Sequence, residues 1–372
     1  PATATVKFEA DDLEAALEGG SRIALDHIAV DAKADAVAQQ ITVTGLRLGS
    51  VRAGLIGAGV IEPASDPNRP GAFVAKGRID HADLGYLASV LKVSDAVKGV
   101  EGDFRADFDA GFSDLGLEKI EAKLSAKVAI DRPDIFRTAL DVSRLSLFAS
   151  YDPMTAELQL NGLDMMFDDI PVAGEGTATL GSQTVEGAEG LEALTANLRI
   201  GKFPSETLAK IWPVTFSKGG WAWVSKYLSN GAVDGADIKL KKEPGKQLDA
   251  TGTFQGSGLD IVYWDKMPKA TGVTGIGRFD ANGLHIDVTR GTSVGLKVEK
   301  VAIDFIDLGA KNERINIDGR VTSQAPALLA LLDRPPLRYA QWLGVAPQRT
   351  SGSVNARLKL AFPLIDALKL DD

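Results

Sequence analysis

Few residues in this chain have the types and spacing that chemistry needs. His27, His81 and His285 stand far apart, and none has ligand spacing around it. Each falls on the polar side of a strand or at a helix start, so a solvated or capping role is expected rather than metal binding or general-base work. Gly291–Gly295 (GTSVG) matches the G-x-S-x-G nucleophile pattern around Ser293. That serine must sit between a strand and a helix, whereas here a second alternating strand follows, so the run predicts a hairpin turn. Gly174–Gly181 (GEGTATLG) resembles a phosphate-cradling loop, but it lacks the lysine and no helix opens after it. The acidic pairs Asp11-Asp12, Asp168-Asp169 and Asp371-Asp372 are adjacent in sequence. Neighbours on a strand face opposite ways, so such pairs make no carboxylate dyad by themselves, and solvated turns are expected. A glycosidase pair contributed by distant strands stays open at this level. With no cysteine in the chain, disulfides, thiolate metal sites and cysteine nucleophiles are excluded together.

The bulk composition fits a large folded protein. Of 372 residues, 45% are hydrophobic and 24% charged, which excludes disorder. The chain opens at Pro1 without a methionine, so a piece of a longer protein is expected, with any anchor or export signal outside it. A formal charge of −9 repels phosphate backbones and anionic headgroups, so nucleic acid is not an expected partner. The densest basic stretch, Lys239–Lys246, sits by a turn and is expected to be solvated. No apolar run approaches the ~18 residues that would span a bilayer. Ala53–Ile61 and Ala325–Leu332 come to about half of that.

Alternation is the dominant signal. LHIDVT sets Leu284, Ile286 and Val288 against His285, Asp287 and Thr289, and RINIDGRV sets Ile315, Ile317 and Val321 against Asn316, Asp318 and Arg320. VNARLKLAF opposes Val354, Leu358, Leu360 and Phe362 to Asn355, Arg357 and Lys359. Nearer the front, Phe104 and Phe108 face away from Arg105 and Asp107, and Leu124, Val128 and Ile130 away from Lys123 and Lys127. Strands wet on one side and dry on the other belong to antiparallel sheets. Three stretches break the pattern and predict short helices, near residues 81–98, 204–230 and 324–344. The second has Pro204-Ser205 opening one helix and Pro213 stopping it, and a second helix runs to Gly231. The third splits at a proline pair. The strand residues before them, Ile79, Ile200 and Val321, are 121 residues apart both times, and Gly231–Val233 and Gly352–Val354 keep that interval. A structural repeat follows, far longer than solenoid periods.

Three short insertions cannot roof so many strands, so the sheet must fold onto itself or curl into a trough with an apolar floor. Leu284, Ile286, Val288, Val301, Ile303, Phe305, Ile315, Ile317, Leu358 and Leu360 are the candidate floor residues. Aliphatics of this kind suit acyl chains, and they suit an ordinary core equally.

A resemblance bears on that choice. Lys210–Lys241, through Trp212, Pro213, Trp221, Trp223, Val224, Leu228, Gly231 and Val233, resembles a segment of the AsmA-like superfamily. The following run, through Leu259, Tyr263, Trp264, Pro268, Gly272, Gly275 and Phe279, resembles the same family, most closely its YhdP/TamB-type proteins. Motifs carry the likeness over Leu198–Leu364, and strand pattern alone carries it over the first half. The resemblance implies a mainly β fold: a long, curled antiparallel sheet forming an elongated groove, with short helical insertions, over residues 1–372 as one segment. It implies a protein similar to eukaryotic bridge-like lipid transfer proteins, anchored in the inner membrane of a Gram-negative envelope and crossing the periplasm. Phospholipid, or another acyl-chain lipid, would be its cargo on the way to the outer membrane, with envelope proteins as further partners. No cofactor and no turnover chemistry are implied. Trp212, Trp221 and Trp223, at a helix bend, are expected to anchor the insertion on the sheet, or else to touch lipid. Two other readings are an envelope scaffold for outer-membrane protein assembly with a closed core and, ranked last, a polysaccharide-active enzyme.

Overall fold

The computed structural model describes residues 2–16, 22–50, 53–65, 71–90, 98–114, 116–181, 191–214, 218–263, 267–308, 312–334, 338–342 and 344–363. The chain is mainly β and divides into two compact units. Pro1–Pro133, Thr138–Leu198 and Lys241–Gln247 form the first, and Asp134–Arg137, Arg199–Leu240 and Leu248–Asp372 the second.

In the first unit the strands are β1 (Thr3–Ala16), β2 (Arg22–Asp35), β3 (Gln40–Gly49), β4 (Gly54–Pro63), β5 (Phe73–Asp83), β6 (Val100–Ser113), β7 (Gly116–Ile130), β8 (Leu140–Asp152), β9 (Glu157–Phe167) and β10 (Ile170–Leu180), with α1 (Leu84–Val90) between β5 and β6. Each strand from β1 to β10 pairs antiparallel with the next one in the chain. β11 (Leu191–Ile200) follows β10, and Leu198 lies against Gly174. Residues directly opposite one another share a face, so register turns the alternation of single strands into rows. One row runs Phe8, Val30, Leu46, Gly57, Ile79, Ala106, Leu124, Leu147, Leu163, Gly174. A second runs Ala10, Ile28, Leu48, Leu55, Ala82, Phe104, Ala126, Leu145, Met165, Val172. The other face carries ion pairs such as Lys76–Glu62 at 3.1 Å and Arg144–Asp164 at 2.9 Å.

The second unit holds β12 (Phe203–Pro204), α2 (Thr207–Ile211), α3 (Lys218–Tyr227), β13 (Leu228–Ser229), β14 (Ala232–Lys242), β15 (Asp249–Ile261), β16 (Ala270–Phe279), β17 (Gly283–Ser293), β18 (Leu296–Ile306), β19 (Arg314–Gln324), α4 (Ala325–Leu332), α5 (Tyr339–Trp342) and β20 (Ser353–Pro363). From β15 to β20 each strand again pairs antiparallel with its chain neighbour, and neither unit closes into a barrel. All three predicted insertions hold helices. Leu91 of the first and the Pro335-Pro336 pair of the third lie outside the described residues.

The apolar faces are only partly covered. The chain exposes 23264 Å², against roughly 14,000 Å² for a compact protein of its mass. Most residues of the two rows above are half-buried, and full burial is confined to places such as Ala82, Ala106 and Leu140. Glycines on these faces have a specific partner. Gly77 pairs with Phe108, Gly277 with Phe254 and Gly252 with Phe279. A Cβ on Gly77 would lie 2.5 Å from Phe108 Cζ, and one on Gly252 would lie 2.8 Å from Phe279 Cε1. Each ring therefore lies down on the backbone of the next strand, in the place a side chain would fill.

Gly277→Val is expected to push the Phe254 ring off its seat and to lower stability by about 1–3 kcal/mol in urea unfolding. Phe254→Leu in the same chain should recover part of that loss; equal losses with and without it would show that the ring is not what the glycine accommodates.

Candidate functional site

The ten candidate floor residues fall on one face of the second unit. Leu284, Phe305 and Ile315 make one row, headed by Phe279. Ile286, Ile303, Ile317 and Leu360 make the next, headed by Gly277. Val288, Val301, Gly319 and Leu358 make the third, headed by Gly275. Val288 and Ile315 are buried, while Leu360, on β20, is 50% exposed. The others are half-buried, so the face is apolar and within reach of solvent. The rows of the first unit form a like surface, of which alternation reached Phe104 and Leu124 but not the many positions held by alanine and glycine.

Charge is sorted to the opposite face. His285 Nδ1 lies 2.5 Å from Asp304 Oδ1, and its Nε2 lies 3.1 Å from Asp287. The Asp304 hydrogen bond is the largest influence and raises the His285 pKa above 6.5, with partial burial opposing it. Asp287 is lowered in turn, first by His285 and then by Arg278, which contacts it at 2.6 Å. Arg357 grips Asp318 with two hydrogen bonds, at 2.9 and 2.6 Å, and holds that carboxyl below its ordinary range. These groups neutralise one another on the outer surface. Among the described residues no set of three His, Cys, Asp or Glu side chains is placed to hold a metal ion.

The other motifs resolve as follows. Val294 and Gly295, at φ 44° and 81°, form a two-residue turn between β17 and β18, and the buried Ser293 donates its hydroxyl to the Pro268 carbonyl at 3.3 Å. That serine is a turn residue and no nucleophile elbow. Gly174 and Gly176 lie within β10, as expected of a strand. His27 faces outward beside Asp11 at 2.8 Å. His81 departs from the expected solvated role: its Nε2 is buried with no hydrogen-bond partner among the described residues. The slip in pairing between Ile79 and Ala82 falls at this position. Asp168-Asp169 form a turn, at φ 48° and 66°, whereas Asp11-Asp12 lie inside β1, where Asp12 keeps a left-handed backbone at φ 52° within the β1–β2 ladder. Asp371-Asp372 lie outside the described residues.

The family-motif residues build the second insertion. The Trp221 indole N–H donates to the Ala209 carbonyl at 2.9 Å, and the Arg137 guanidinium covers its ring at 3.9 Å. Arg137 also donates to the Trp212 carbonyl at 3.3 Å, and Val214 N–H donates to the Ile135 carbonyl at 2.8 Å. Trp212 and Pro213 thus form the bend over which residues 134–137 close, and Trp223 stays 38% exposed beside Tyr227. Gly231, at φ 66°, has no room for a Cβ, which would meet the Ser257 carbonyl at 2.3 Å. Its carbonyl accepts from Ser205 N–H at 3.3 Å, and Glu206 accepts from Asn230 N–H at 2.8 Å, so the two ends of the insertion are tied. Asn230 and Lys269 both donate to the buried Asp260, at 3.0 and 2.7 Å, and lower its pKa, Lys269 most. Arg137 and Asp260 escaped the sequence reading because their partners are distant in the chain. Trp264 lies outside the described residues.

Two outcomes are expected. Arg137→Ala should speed hydrogen exchange over residues 207–227, with a loss of about 0.5–2 kcal/mol, while the β15–β20 ladders keep their protection. Unchanged exchange there would remove the clasp from the account. For His285, the raised pKa means its stabilising contribution is whole below 6.5 and is lost as pH rises through the folded-state value. Asp304→Asn should bring its NMR titration midpoint down toward 6.5, and a midpoint that stays put would rule out the Asp304 bond as the main cause.

A family model described as YhdP protein matches residues 97–369. No curated protein and no solved structure matches the chain. The matched span takes in roughly three quarters of the sequence and reaches about a hundred residues further forward than the tryptophan and glycine motifs do. A model covering most of the strands of both units agrees with the AsmA-like character of those motifs, and the chain belongs to the YhdP family, which is not a family of known enzymes.

Proposed function

We propose that this chain is a section of a conduit that carries phospholipids between the inner and outer membranes of a Gram-negative envelope, with their acyl chains on the apolar face of the sheet. The observation that carries the proposal is the set of apolar rows, continuous from strand to strand and left half-exposed, with charge kept to the other face. Three alternate rows at about 6.6 Å spacing span roughly 13 Å from the first to the last, enough for acyl chains to lie side by side. Each methylene that leaves water on such a face gains about 0.8 kcal/mol. Because that gain is spread over many equivalent contacts, a chain can slide without crossing one large barrier. Headgroups stay at the rims in water. Membership of the YhdP family supports the same reading, in which lipid moves without being chemically altered. A scaffold with a dry core fits less well, since the same face would then be closed.

Native mass spectrometry of the purified chain, followed by lipid extraction, tests this. Co-purifying phospholipid is expected, and Val301→Asp with Ile303→Asp should reduce it several-fold while circular dichroism stays β. A lipid-free chain that also refuses labelled phospholipid would point to the scaffold instead.

A further inference from the structure

The second and third insertions share residues at a fixed offset. An offset of 121, without gaps, sets Leu208 on Leu329, Ala209 on Ala330, Trp221 on Trp342, Val224 on Val345, Gly231 on Gly352 and Val233 on Val354. The structure agrees, since α2 falls on the second half of α4 and the first turn of α3 on α5. The fate of the shared tryptophan is different. Trp221 is folded in, with its N–H and one ring face both occupied. Trp342 is 83% exposed, more than any other large apolar side chain among the described residues.

The surroundings of Trp342 explain the difference and indicate what it meets. Val214, whose N–H fastens the clasp over Trp221, corresponds to Pro335, which has no N–H to give. Tyr339 is 44% and Val345 36% exposed. Arg338 lies one turn before Trp342, whose N–H donates to its carbonyl at 3.1 Å. Arg334 and Arg349 flank Trp342 in sequence and are exposed, and the three arginines have no carboxylate partner among the described residues. The one acid of the segment, Asp333, already accepts from Gln341 N–H at 2.9 Å. Three arginines against one aspartate leave residues 325–349 with a formal charge of +2 in a chain of −9. A second arginine clasp would be repelled here, whereas an anionic surface would be attracted.

We infer that α5 and the turn after it are a docking patch for an anionic phospholipid bilayer. Tryptophan and tyrosine rings settle at headgroup level, and arginines gain from negative lipids. Three apolar side chains fall well short of the ~800 Å² per partner of a stable protein interface, but shallow insertion of two rings plus charge suffices at a membrane surface. The patch lies on an insertion, off the sheet rows, so it does not rest on the conduit proposal.

The full chain is sedimented with vesicles of pure phosphatidylcholine and with vesicles that also contain phosphatidylglycerol. Binding is expected only to the second kind, and added salt should weaken it. Replacing Arg334, Arg338 and Arg349 with Gln should weaken it on the order of fivefold per arginine. Trp342→Ala should weaken it several-fold, and brominated acyl chains should quench parent fluorescence more than Trp342→Phe fluorescence. Val301→Asp with Ile303→Asp should leave vesicle binding intact, which separates this patch from the conduit face. Equal binding to both vesicle types, or full binding by Trp342→Ala, would overturn the assignment. So would Trp342-dependent self-association without vesicles, which would make the patch an interface between copies.

Discussion

A β-strand turns successive side chains to opposite sides, and a sheet keeps that sorting only while its strands hold register. Everything else in this chain depends on that constraint. Over the nine ladders from β1 to β10, a slip of one residue would bring lysines and aspartates into the apolar rows. Where the pairing does slip, the two faces are kept. Between β5 and β6, Ile79 meets Ala106 and Ala82 meets Phe104, so both sides of the irregularity return to the same apolar face. A bulge places the extra residue where it leaves the sorting intact.

Sorting alone would leave a rough surface, and composition refines it. Aromatic side chains standing up from a sheet would break an apolar face into compartments. Here three of the phenylalanines lie over a cross-strand glycine, and alanine holds positions such as Ala106, Ala122 and Ala126. The high glycine count thus goes partly into the floor of the sheet, beyond the turns that glycine usually serves. In the second insertion Ser205, Asn230, Gly231 and Asp260 tie the irregular backbone with hydrogen bonds.

The sequence disclosed what depends on neighbours along the chain. Alternation in β17 to β20 grouped the ten candidate residues that register places on one face, and Pro204, Pro213 and Gly231 marked the second insertion. It withheld what depends on partners far apart. Beyond Phe104, Phe108, Leu124, Val128 and Ile130, the apolar face of the first unit went unread because residues such as Ala32, Ala34 and Gly59 carry little hydropathy individually and acquire meaning only in rows. Arg137 joins Trp221 across a separation no periodicity encodes, and the buried nitrogen of His81 follows from a bulge. The positive φ of Val294 was equally hidden, since a β-branched residue is a poor candidate for that conformation.

The order of the strands has a consequence for how such a chain assembles and changes. From β1 to β10, and again from β16 to β20, the strand pairings among the described residues join strands adjacent in sequence. Except across the insertions that separate β5 from β6 and β19 from β20, each strand can close on the one before it with a shorter connection and less entropy to overcome, so assembly can advance stepwise in the manner of a zipper. Cohesion is then nearly one-dimensional, as in repeat proteins, where a unit answers to its two neighbours and to little else. In such an architecture a block of strands with its insertion can be duplicated and spliced in while the rest of the ladder stays as it was. Two insertions that share residues at an offset of 121, one with its tryptophan folded in and the other with it turned out, are what duplication followed by divergence would leave.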